Sequence, residues 1–407
     1  MKMRILLACA AFPPNGKGGG PASSELIAMG LTNLGNTVRV LTVSGEQSTQ
    51  RRDGFEIKTL RSLNVHWDYW KNNPAWRKLA WHMLENFNPR ALAIMRREIR
   101  NFRPDVLLTV SIENINVASW LAAATEGVPC AHMIYSYFLR CWRGTMFRQG
   151  TNCVGECTTC LVSSLGKKFM SRYVDGVVAE TTFPLNSHIR AGYFPNAITH
   201  VTPGPIVLPT AHRRPTNADR RTLRVGYIGL HDPAKGIETL AAAARNIAAD
   251  GKNSIEFFIA GDGPAEYTKK LTTLFPPSTQ FLGWVRPAEF YPSVDVIVVP
   301  SIWNEPFGRV SAEAMSFGIP VITARSGGLP ENIVEGESGL SFTAGNAAEL
   351  YDILRRVCAD RTSMERMAVG ALRRAQHFKL EQVAEDLERF LAGVCERKLI
   401  ATTPLAA

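Results

Sequence analysis

The sequence predicts an α/β protein made of two doubly wound, Rossmann-like domains that face each other across a cleft. Apolar runs of strand length alternate with longer helical segments throughout the 407 residues, and this alternation implies parallel sheets covered by helices. The pattern starts at Arg4–Cys9 and starts again at Thr222–Gly229, so each half should form its own sheet. Between the halves, Thr202–Arg221 is rich in proline and charge, which is typical of a linker.

In the first half, a strand is predicted at Arg4–Cys9, followed by a glycine-rich loop and a helix from about Ser23 to Leu34. Four further strands are predicted at residues 37–43, 105–110, 129–135 and 175–180. The N-terminus also resembles a short signal peptide, with two basic residues before the apolar run Ile5–Phe12. Because that run is short and leads directly into a Pro/Gly-rich loop, a buried first strand is the better interpretation. We therefore expect the protein in the cytoplasm, with its cysteines reduced or bound to metal.

In the second half, strands are predicted at residues 222–229, 254–261, 278–284, 295–301 and 319–324. We divide the chain into an N-terminal domain (1–208), which includes a Cys-rich insertion, a linker (209–221), a C-terminal domain (222–380), and a C-terminal helix with its tail (381–407). The helix is expected to pack back towards the N-terminal domain. Ligands of doubly wound sheets bind at the carboxyl ends of the strands, so the active site is expected where those loops converge.

Composition and charge exclude several classes of protein. With 45% hydrophobic and 20% charged residues, the chain is a soluble globular protein, and no apolar run is long enough to span a membrane. The formal net charge is +10, and the segment Arg51–Arg103 alone holds 12 basic and 5 acidic residues, a net +7. Aromatic residues are interleaved with this charge: Trp67, Tyr69, Trp70, Trp76, Trp81 and Phe87. Such a segment suits an anionic interface, and we expect a membrane surface rather than nucleic acid, although an ordinary solvated helix face is equally open.

Two carboxylates follow the strand predicted at residues 295–301. Glu305 lies at its carboxyl end, and Glu313 lies about one turn into the next helix, beyond Gly308, which permits close backbone approach. The free N–H groups at the start of that helix suit an anion such as a diphosphate, and Glu313 could accept two hydrogen bonds from a ribose diol. Taken alone, two glutamates are better explained by a helix start whose dipole they stabilise.

The residues around the two glutamates form a longer pattern. It consists of Glu-Pro-Phe-Gly (Glu305–Gly308), a second glutamate eight positions after the first, Gly-Ile-Pro-Val-Ile (Gly318–Ile322) and the pair Gly327–Gly328. The pattern resembles the donor site of the retaining glycosyltransferases of family 4, which have the GT-B fold. The resemblance also covers Phe281–Val285, Ile259–Pro264, Asp232–Leu240 and Glu331–Phe342. It implies a nucleotide-diphosphate-sugar donor bound by the C-terminal domain and a glycan or lipid-linked acceptor on the side of the N-terminal domain. It also implies no metal or other cofactor for catalysis, and a place in bacterial cell-surface polysaccharide synthesis.

The resemblance also implies roles for individual residues. Glu305 and Lys235 are predicted to be catalytic, with Lys235 neutralising the phosphates in place of a metal. The predicted donor-binding residues are Glu313, Phe307, Gly308, Arg309, Gly19, Gly20 and Trp284. The sequence departs from the family at two places: Leu230 stands where an arginine often binds phosphate, and Tyr135-Ser136 stand where the family has His-Asp on the acceptor side. Either His231, Arg309 or a residue of the N-terminal domain replaces the arginine, or activation of the leaving group is weaker. His132 is predicted to be a core residue of its strand.

Four of the eight cysteines are crowded into twenty residues: Cys141, Cys153, Cys157 and Cys160. The C-x3-C-x2-C spacing formally matches a radical-SAM iron–sulfur motif, but such a site belongs on another fold. A structural zinc held by the four thiolates fits better, and unligated thiols fit equally well.

Two functions from different classes remain open. The leading hypothesis is a retaining glycosyltransferase, and the alternative is a glycan- or nucleotide-sugar-binding protein that has lost catalysis on the same fold. A nicotinamide-dependent dehydrogenase is disfavoured, because no G-x-G-x-x-G motif follows the first strand of either half.

Overall fold

A computed structural model describes residues 2–16, 18–66, 68, 73–209, 222–251 and 254–402 of the chain. The chain divides into two compact units. Unit 1 comprises Met1–Met146, Val154–Pro205 and Leu380–Ala407, and unit 2 comprises Phe147–Cys153 and Ile206–Lys379. Most of the predicted linker, residues 210–221, lies outside the described residues.

Unit 1 is built on an eight-stranded sheet in the order β10-β9-β6-β5-β1-β2-β4-β3. Its strands are β1 (Arg4–Cys9), β2 (Thr37–Ser44), β3 (Ser48–Arg52), β4 (Phe55–Arg61), β5 (Val106–Val110), β6 (Cys130–Ile134), β9 (Gly176–Ala179) and β10 (Ile198–Val201). Every neighbouring pair is parallel except β3 with β4, which is antiparallel. The central strands are apolar and buried along their length, as expected for a parallel sheet covered on both faces.

The α-helices in the described part of unit 1 accompany this sheet. They are α1 (Gly19–Asn33), α2 (Ala75–Asn86), α3 (Pro89–Phe102), α4 (Ala118–Thr125), α5 (Thr158–Met170), α6 (Thr182–Arg190) and the last helix of the chain, α14 (Leu380–Thr402). Helix α14 packs against α1, where the Cα of Gly30 approaches so closely that a Cβ there would lie 2.7 Å from that of Ala384. Its apolar stripe, which includes Val383, Leu387 and Leu391, joins the core on that face of the sheet.

Unit 2 is built on a six-stranded, all-parallel sheet in the order β13-β12-β11-β14-β15-β16. Its strands are β11 (Leu223–Ile228), β12 (Ile255–Ala260), β13 (Gln280–Gly283), β14 (Val296–Val299), β15 (Val321–Ala324) and β16 (Gly339–Phe342). Its helices are α7 (Ile237–Asp250), α8 (Ala265–Leu274), α9 (Pro287–Phe290), α10 (Arg309–Ser316), α11 (Leu329–Asn332), α12 (Ala347–Ala359) and α13 (Arg361–Ala375). A short hairpin, β7 (Phe147–Arg148) with β8 (Thr151–Asn152), also belongs to this unit.

The predicted α/β class with parallel sheets is confirmed, and all ten predicted strands are present. The strands β3, β4, β10 and β16 and the hairpin β7–β8 were not predicted. Strand order reverses between β1 and β5 in unit 1 and between β11 and β14 in unit 2. Loops at the carboxyl ends of such neighbouring strands diverge and leave a crevice, and both candidate sites described below lie at these points. None of the helices in the described part of the chain combines the length and apolar character needed to cross a membrane.

Candidate functional site

In unit 2, the structure brings the two predicted catalytic residues into contact. The Nζ of Lys235 lies 2.5 Å from the Oε1 of Glu305, and it also lies 5.0 Å from the centre of the Trp303 ring. Glu305 is buried, with 8% of its surface exposed, whereas the Lys235 side chain is 30% exposed. A lysine and a carboxylate of opposite charge therefore meet at the edge of the unit, with the cation facing solvent.

Backbone contacts hold the two residues in this position. The amides of Ile302 and Trp303 both donate to the Ala234 carbonyl oxygen at 3.0 Å. Gly236 has a φ of 68°, and a Cβ at this residue would lie 1.9 Å from the Pro300 carbonyl oxygen. Because only glycine fits there, the turn that carries Lys235 can lie directly against the loop that leads to Glu305.

The second predicted carboxylate, Glu313, is fixed at both oxygens. Arg309 approaches its Oε1, with distances of 3.2 Å from Nε and 3.1 Å from the terminal nitrogen. The hydroxyl of Tyr291 donates to Oε2 at 3.1 Å. Tyr291 is fully buried, and burial, with the Glu313 charge as the next cause, raises its pKa well above the ordinary value. The tyrosine therefore remains a neutral hydrogen-bond donor that orients the carboxylate.

The other predicted donor-binding residues of unit 2 have different environments. Gly308 has a φ of 86° and is the N-cap residue directly before α10, which agrees with its predicted place in the turn. Phe307 is 2% exposed and packs edge-on against Phe378, so its side chain belongs to the core and could influence a ligand only by positioning the loop. Trp284 is 71% exposed after β13, where a ligand can reach its ring.

Leu230, which stands where the resembling enzymes often have a phosphate-binding arginine, is 53% exposed. The neighbouring His231 is buried, with its Nδ1 3.1 Å from the Thr268 hydroxyl, and burial lowers its pKa despite the nearby Asp262. The lowered pKa favours the neutral imidazole, so Arg309 is the better candidate to replace the arginine. Within the described part of this site, Lys235 and Arg309 are the cations available for a diphosphate.

The hairpin of unit 2 supplies a contact that was not predicted. Asn152 donates through Nδ2 to the Ile302 carbonyl oxygen at 2.7 Å, and its Oδ1 accepts from the Asn304 amide at 2.9 Å. These two bonds pair the side chain with the backbone on either side of Trp303. The hairpin thus fixes the loop that precedes Glu305, and no motif in the sequence indicates this.

In unit 1, a cavity of about 670 Å³ opens at the carboxyl ends of β1, β5 and β6. It is lined by Ala10, Ala11, Asn15, Gly16, Gly20, Pro21, Ser24, Ser111, Glu113, Tyr135 and Ser136. The predicted acceptor-side residues Tyr135 and Ser136 and the predicted glycine Gly20 are therefore brought together, while Gly19 is the first residue of α1. The described lining residues include no lysine or arginine, so the cavity suits a neutral polar ligand better than a phosphate.

Glu113 is the functional candidate in this cavity that the sequence analysis missed. The Ser136 hydroxyl donates to its Oε1 at 3.0 Å, whereas its Oε2 is buried without a hydrogen-bond partner among the described residues. Burial raises the pKa of this carboxyl, although the Ser136 hydrogen bond and the Lys167 charge act against the rise. Burying a carboxyl oxygen without a hydrogen-bond partner costs folding free energy, unless a bound ligand donates a hydrogen bond to it.

The loop that carries Glu113 has unusual backbone geometry. Ser111, Asn114 and Asn116 have φ values of 45°, 62° and 81°, in the left-handed region that non-glycine residues seldom adopt. The indole of Trp81 donates to Asn114 Oδ1 at 2.7 Å, which holds the loop in this conformation. Backbone strain of this kind is often found at functional sites, and here it directs a carboxylate into the cavity.

Among the four clustered cysteines, Cys141 and Cys157 lie close to Cys160. Burial is the main reason that the pKa of Cys160 rises to about 12, and the thiols of Cys141 and Cys157 raise it further. Cys153 belongs to unit 2. Within the described residues, no group of three or more His, Cys, Asp and Glu side chains is arranged to hold a metal ion, so the side chains as placed do not fit the four-thiolate zinc site. The zinc stays a prediction, which elemental analysis of protein purified without chelator tests.

The prediction for His132 is confirmed. It lies in β6, is 3% exposed, and its Nδ1 is 2.9 Å from the Thr109 hydroxyl. Burial lowers its pKa to about 3, so it is a neutral core residue at physiological pH.

Comparison with known proteins finds a family model that matches part of unit 2. Residues 222–360 match the family model described as Glycosyl transferases group 1. An uncharacterized 42.6 kDa protein in the cps region of Klebsiella pneumoniae is 26% identical over 337 residues, covering 81% of this chain and 87% of that protein. A D-inositol 3-phosphate glycosyltransferase of Thermomonospora curvata is 29% identical over 308 residues, covering 67% of this chain and 68% of that protein.

Solved structures share the whole fold at low sequence identity. Anabaena Alr3699/HepE in complex with UDP is 19% identical, has a TM-score of 0.70, and covers 96% of this chain and 100% of its own. The same protein is also known in complex with UDP-glucose. Sucrose-phosphate synthase from Thermosynechococcus elongatus is 19% identical, with a TM-score of 0.73 and coverage of 98% and 100%. These likenesses establish the GT-B fold.

Proposed function

We propose that the protein is a retaining glycosyltransferase, because residues 222–360 match the Glycosyl transferases group 1 model and the chain has the GT-B fold. It moves a sugar from a nucleotide-diphosphate-sugar to a hydroxyl group of a glycan or lipid-linked acceptor. The observation that carries the proposal is the Lys235–Glu305 contact of 2.5 Å, because it pairs a cation suited to the diphosphate with a carboxylate suited to sugar hydroxyls. HepE, which shares the fold, binds UDP and UDP-glucose, and this supports a nucleotide-sugar donor.

Both cations of the unit 2 site are held by carboxylates that a donor can replace. Lys235 and Arg309 exchange their glutamate partners for phosphate oxygens when the donor binds, since each side chain is partly exposed. Glu313 then accepts the two hydrogen bonds of the ribose diol, and Glu305 accepts hydrogen bonds from the sugar. The cations stabilise the charge that develops on the departing diphosphate, as a metal ion does in other transferases.

The proposed transfer is a substitution at the anomeric carbon. The bond from this carbon to the diphosphate oxygen breaks, and its electron pair leaves with the diphosphate. The acceptor hydroxyl oxygen forms the new bond on the same face of the sugar, so configuration is retained. Its proton passes to the departing phosphate oxygen, and this route requires neither a metal nor a histidine.

The unit 1 cavity is the proposed acceptor site. Its lining of small and hydroxyl-bearing side chains suits a neutral sugar, and Glu113 offers Oε2 to an acceptor hydroxyl while Ser136 retains Oε1. Hydroxyl groups of a sugar would satisfy the unpartnered oxygen and recover its burial cost. The relative encoded in a cps region of Klebsiella pneumoniae supports a role in cell-surface polysaccharide synthesis.

A second candidate function is binding of a nucleotide sugar without transfer. It is favoured by the exposed Leu230, which leaves the diphosphate one cation short.

The test is release of free nucleoside diphosphate from a panel of UDP-, GDP- and ADP-sugars, with wild type, Lys235→Met and the control Lys269→Met. Lys269 is an exposed lysine on α8 of the same unit. Transfer predicts release by wild type and control and strong loss in Lys235→Met. Donor binding by thermal shift with no release by any protein would favour the binding function instead, and neither binding nor release would contradict both.

A further inference from the structure

Helix α5 is built with its apolar side outwards. Its buried residues are Cys160, Ser163, Ser164 and Lys167. Its exposed large apolar residues are Leu161, Val162, Leu165 and Phe169, each between 49% and 64% exposed. An amphipathic helix of a globular protein normally buries its apolar stripe and exposes its polar face, so α5 has the opposite arrangement.

Helix α2 has the same reversed arrangement. Its buried side chains are Trp81, His82 and Glu85, two of which are ionisable. Its opposite face presents Trp76, Leu79 and Met83, spaced three and four residues apart and between 54% and 69% exposed. The spacing places these three side chains on one side of the helix.

The two helices pack against each other. The Gly166 amide donates to Asn86 Oδ1 at 2.9 Å, and a Cβ on Gly166 would lie 2.6 Å from the Asn86 carbonyl oxygen. The glycine therefore allows α5 to lie directly against the end of α2. We call the seven exposed side chains of these neighbouring helices the outward apolar face: Trp76, Leu79, Met83, Leu161, Val162, Leu165 and Phe169.

The charges around this face are positive. Arg77, Lys78 and Lys168 lie on the two helices, and Arg172 follows α5 and stacks on Phe169 at 3.9 Å. The two helices, all of whose residues are described, contain one carboxylate, Glu85, and it is fully buried. A surface that combines exposed apolar side chains, a tryptophan and basic residues without an exposed carboxylate complements an anionic bilayer.

The basic residues of α3 are less suitable for this role. Arg96 and Arg100 both bind Glu126, at 2.6 Å and 2.7 Å, so their charge is partly neutralised within the protein. The better candidate for a membrane contact is therefore the surface formed by α2 and α5, not the basic segment Arg51–Arg103 as a whole. Helix α5 lies outside that segment.

We propose that the outward apolar face docks unit 1 onto an anionic lipid bilayer. The apolar side chains of α2 and α5 enter the headgroup region, and the four cations bind lipid phosphates. This partner is not part of the proposed chemistry, and its test needs neither donor nor acceptor. Failure of docking and failure of transfer can therefore be distinguished.

The experiment is co-sedimentation of the full chain with vesicles of phosphatidylcholine alone or of phosphatidylcholine and phosphatidylglycerol. The variants are the triple substitution Leu161→Ser, Leu165→Ser, Phe169→Ser on α5, and Trp76→Ser, Leu79→Ser, Met83→Ser on α2. A matched control replaces three exposed valines of unit 2 by serine, at Val207, Val334 and Val369. Because all these side chains are exposed, thermal unfolding should be nearly unchanged in every variant, which is checked first.

We expect wild type and control to bind anionic vesicles at least five-fold better than neutral ones, and each triple variant to lose at least ten-fold in binding. Reversing the charges with Lys78→Glu and Lys168→Glu should abolish the preference for anionic vesicles. Binding of the triple variants equal to wild type would overturn the proposal, as would absence of wild-type binding to either vesicle. A wild-type dimer that the triple variants convert to monomer, with vesicle binding unchanged, would assign the face to a second copy of the chain and overturn it too.

Discussion

Replacing Glu313 by alanine should weaken nucleoside diphosphate binding by about 10- to 150-fold. Both carboxylate oxygens of Glu313 are oriented in the structure, one by Arg309 and the other by Tyr291, so the side chain is already positioned to accept a diol. A hydrogen bond to a charged group contributes about 1.5–3 kcal/mol, and each 1.4 kcal/mol changes affinity about tenfold. The same substitution leaves the fully buried Tyr291 hydroxyl without this acceptor, which costs about 1–3 kcal/mol of stability.

Two further variants separate binding from stability. Glu313→Gln keeps an acceptor for Tyr291 but removes the charge, so stability should hold while affinity falls by less than in the alanine variant. Tyr291→Phe removes only the orienting bond and should weaken binding about three- to ten-fold.

Calorimetric titration with UDP, GDP and ADP measures these affinities, and Glu337→Ala, an exposed glutamate of the same unit, serves as the control. Equal affinity of wild type and Glu313→Ala, with both folded, would refute the assignment of Glu313 to the ribose.

Three other predictions concern charged groups. Lys235→Met should lower turnover by about ten- to thousand-fold and Glu305→Gln should lower turnover with diphosphate affinity unchanged; near-normal initial rates would contradict both roles. Glu113→Gln should raise the acceptor KM about tenfold and leave donor hydrolysis by water unchanged, and an equal loss in both rates would argue for a structural defect. Burial, partly offset by the Asn64 hydrogen bond, raises the pKa of Glu85 to about 8. The protonated Glu85 therefore contributes stability that is fully present below the unfolded pKa near 4.5 and is lost as the pH rises through 8. Glu85→Gln should remove this loss of unfolding free energy, which is on the order of a few kcal/mol. Melting temperatures measured from pH 4.5 to 8 that fall equally in wild type and variant would show that another group titrates.

Most of the strands found from sequence have largely apolar runs, because strands buried on both faces are mainly apolar. The exception is β13 (Gln280–Gly283), which is short and largely exposed. Strand β4 alternates buried and partly exposed residues, and β3 is mainly polar at the sheet edge. Whether such a segment forms a strand depends on the strand it pairs with more than on its own composition. A search for apolar runs therefore did not find β3 and β4. The boundary between the compact units could not be read along the chain either, since Phe147–Cys153 belongs to unit 2 only through contacts such as Asn152 with the loop at residue 303.

In the candidate site too, motifs in the sequence identified individual residues, but contacts between residues far apart in the chain could not be predicted. Lys235 and Glu305 were singled out by their motifs, but their direct contact joins residues seventy positions apart and depends on Gly236 fitting against Pro300. Glu113 follows a buried strand just as Glu305 does, so a carboxylate at that strand end was a signal in the sequence. Its burial and its unpartnered oxygen depend on Trp81 and Ser136, which only the fold brings to that loop.

The most direct test of the proposed transfer is the anomeric configuration of the product, followed by proton NMR during reaction of an α-linked nucleotide sugar. The donor is whichever sugar nucleotide of the panel releases diphosphate, and the acceptor is a neutral glycan or a short-chain lipid-linked sugar. Retention predicts that the new glycosidic bond is α from the first turnover, and that its formation stops in Lys235→Met. A β-linked first product, or an α-linked product formed at the wild-type rate by Lys235→Met, would contradict the mechanism.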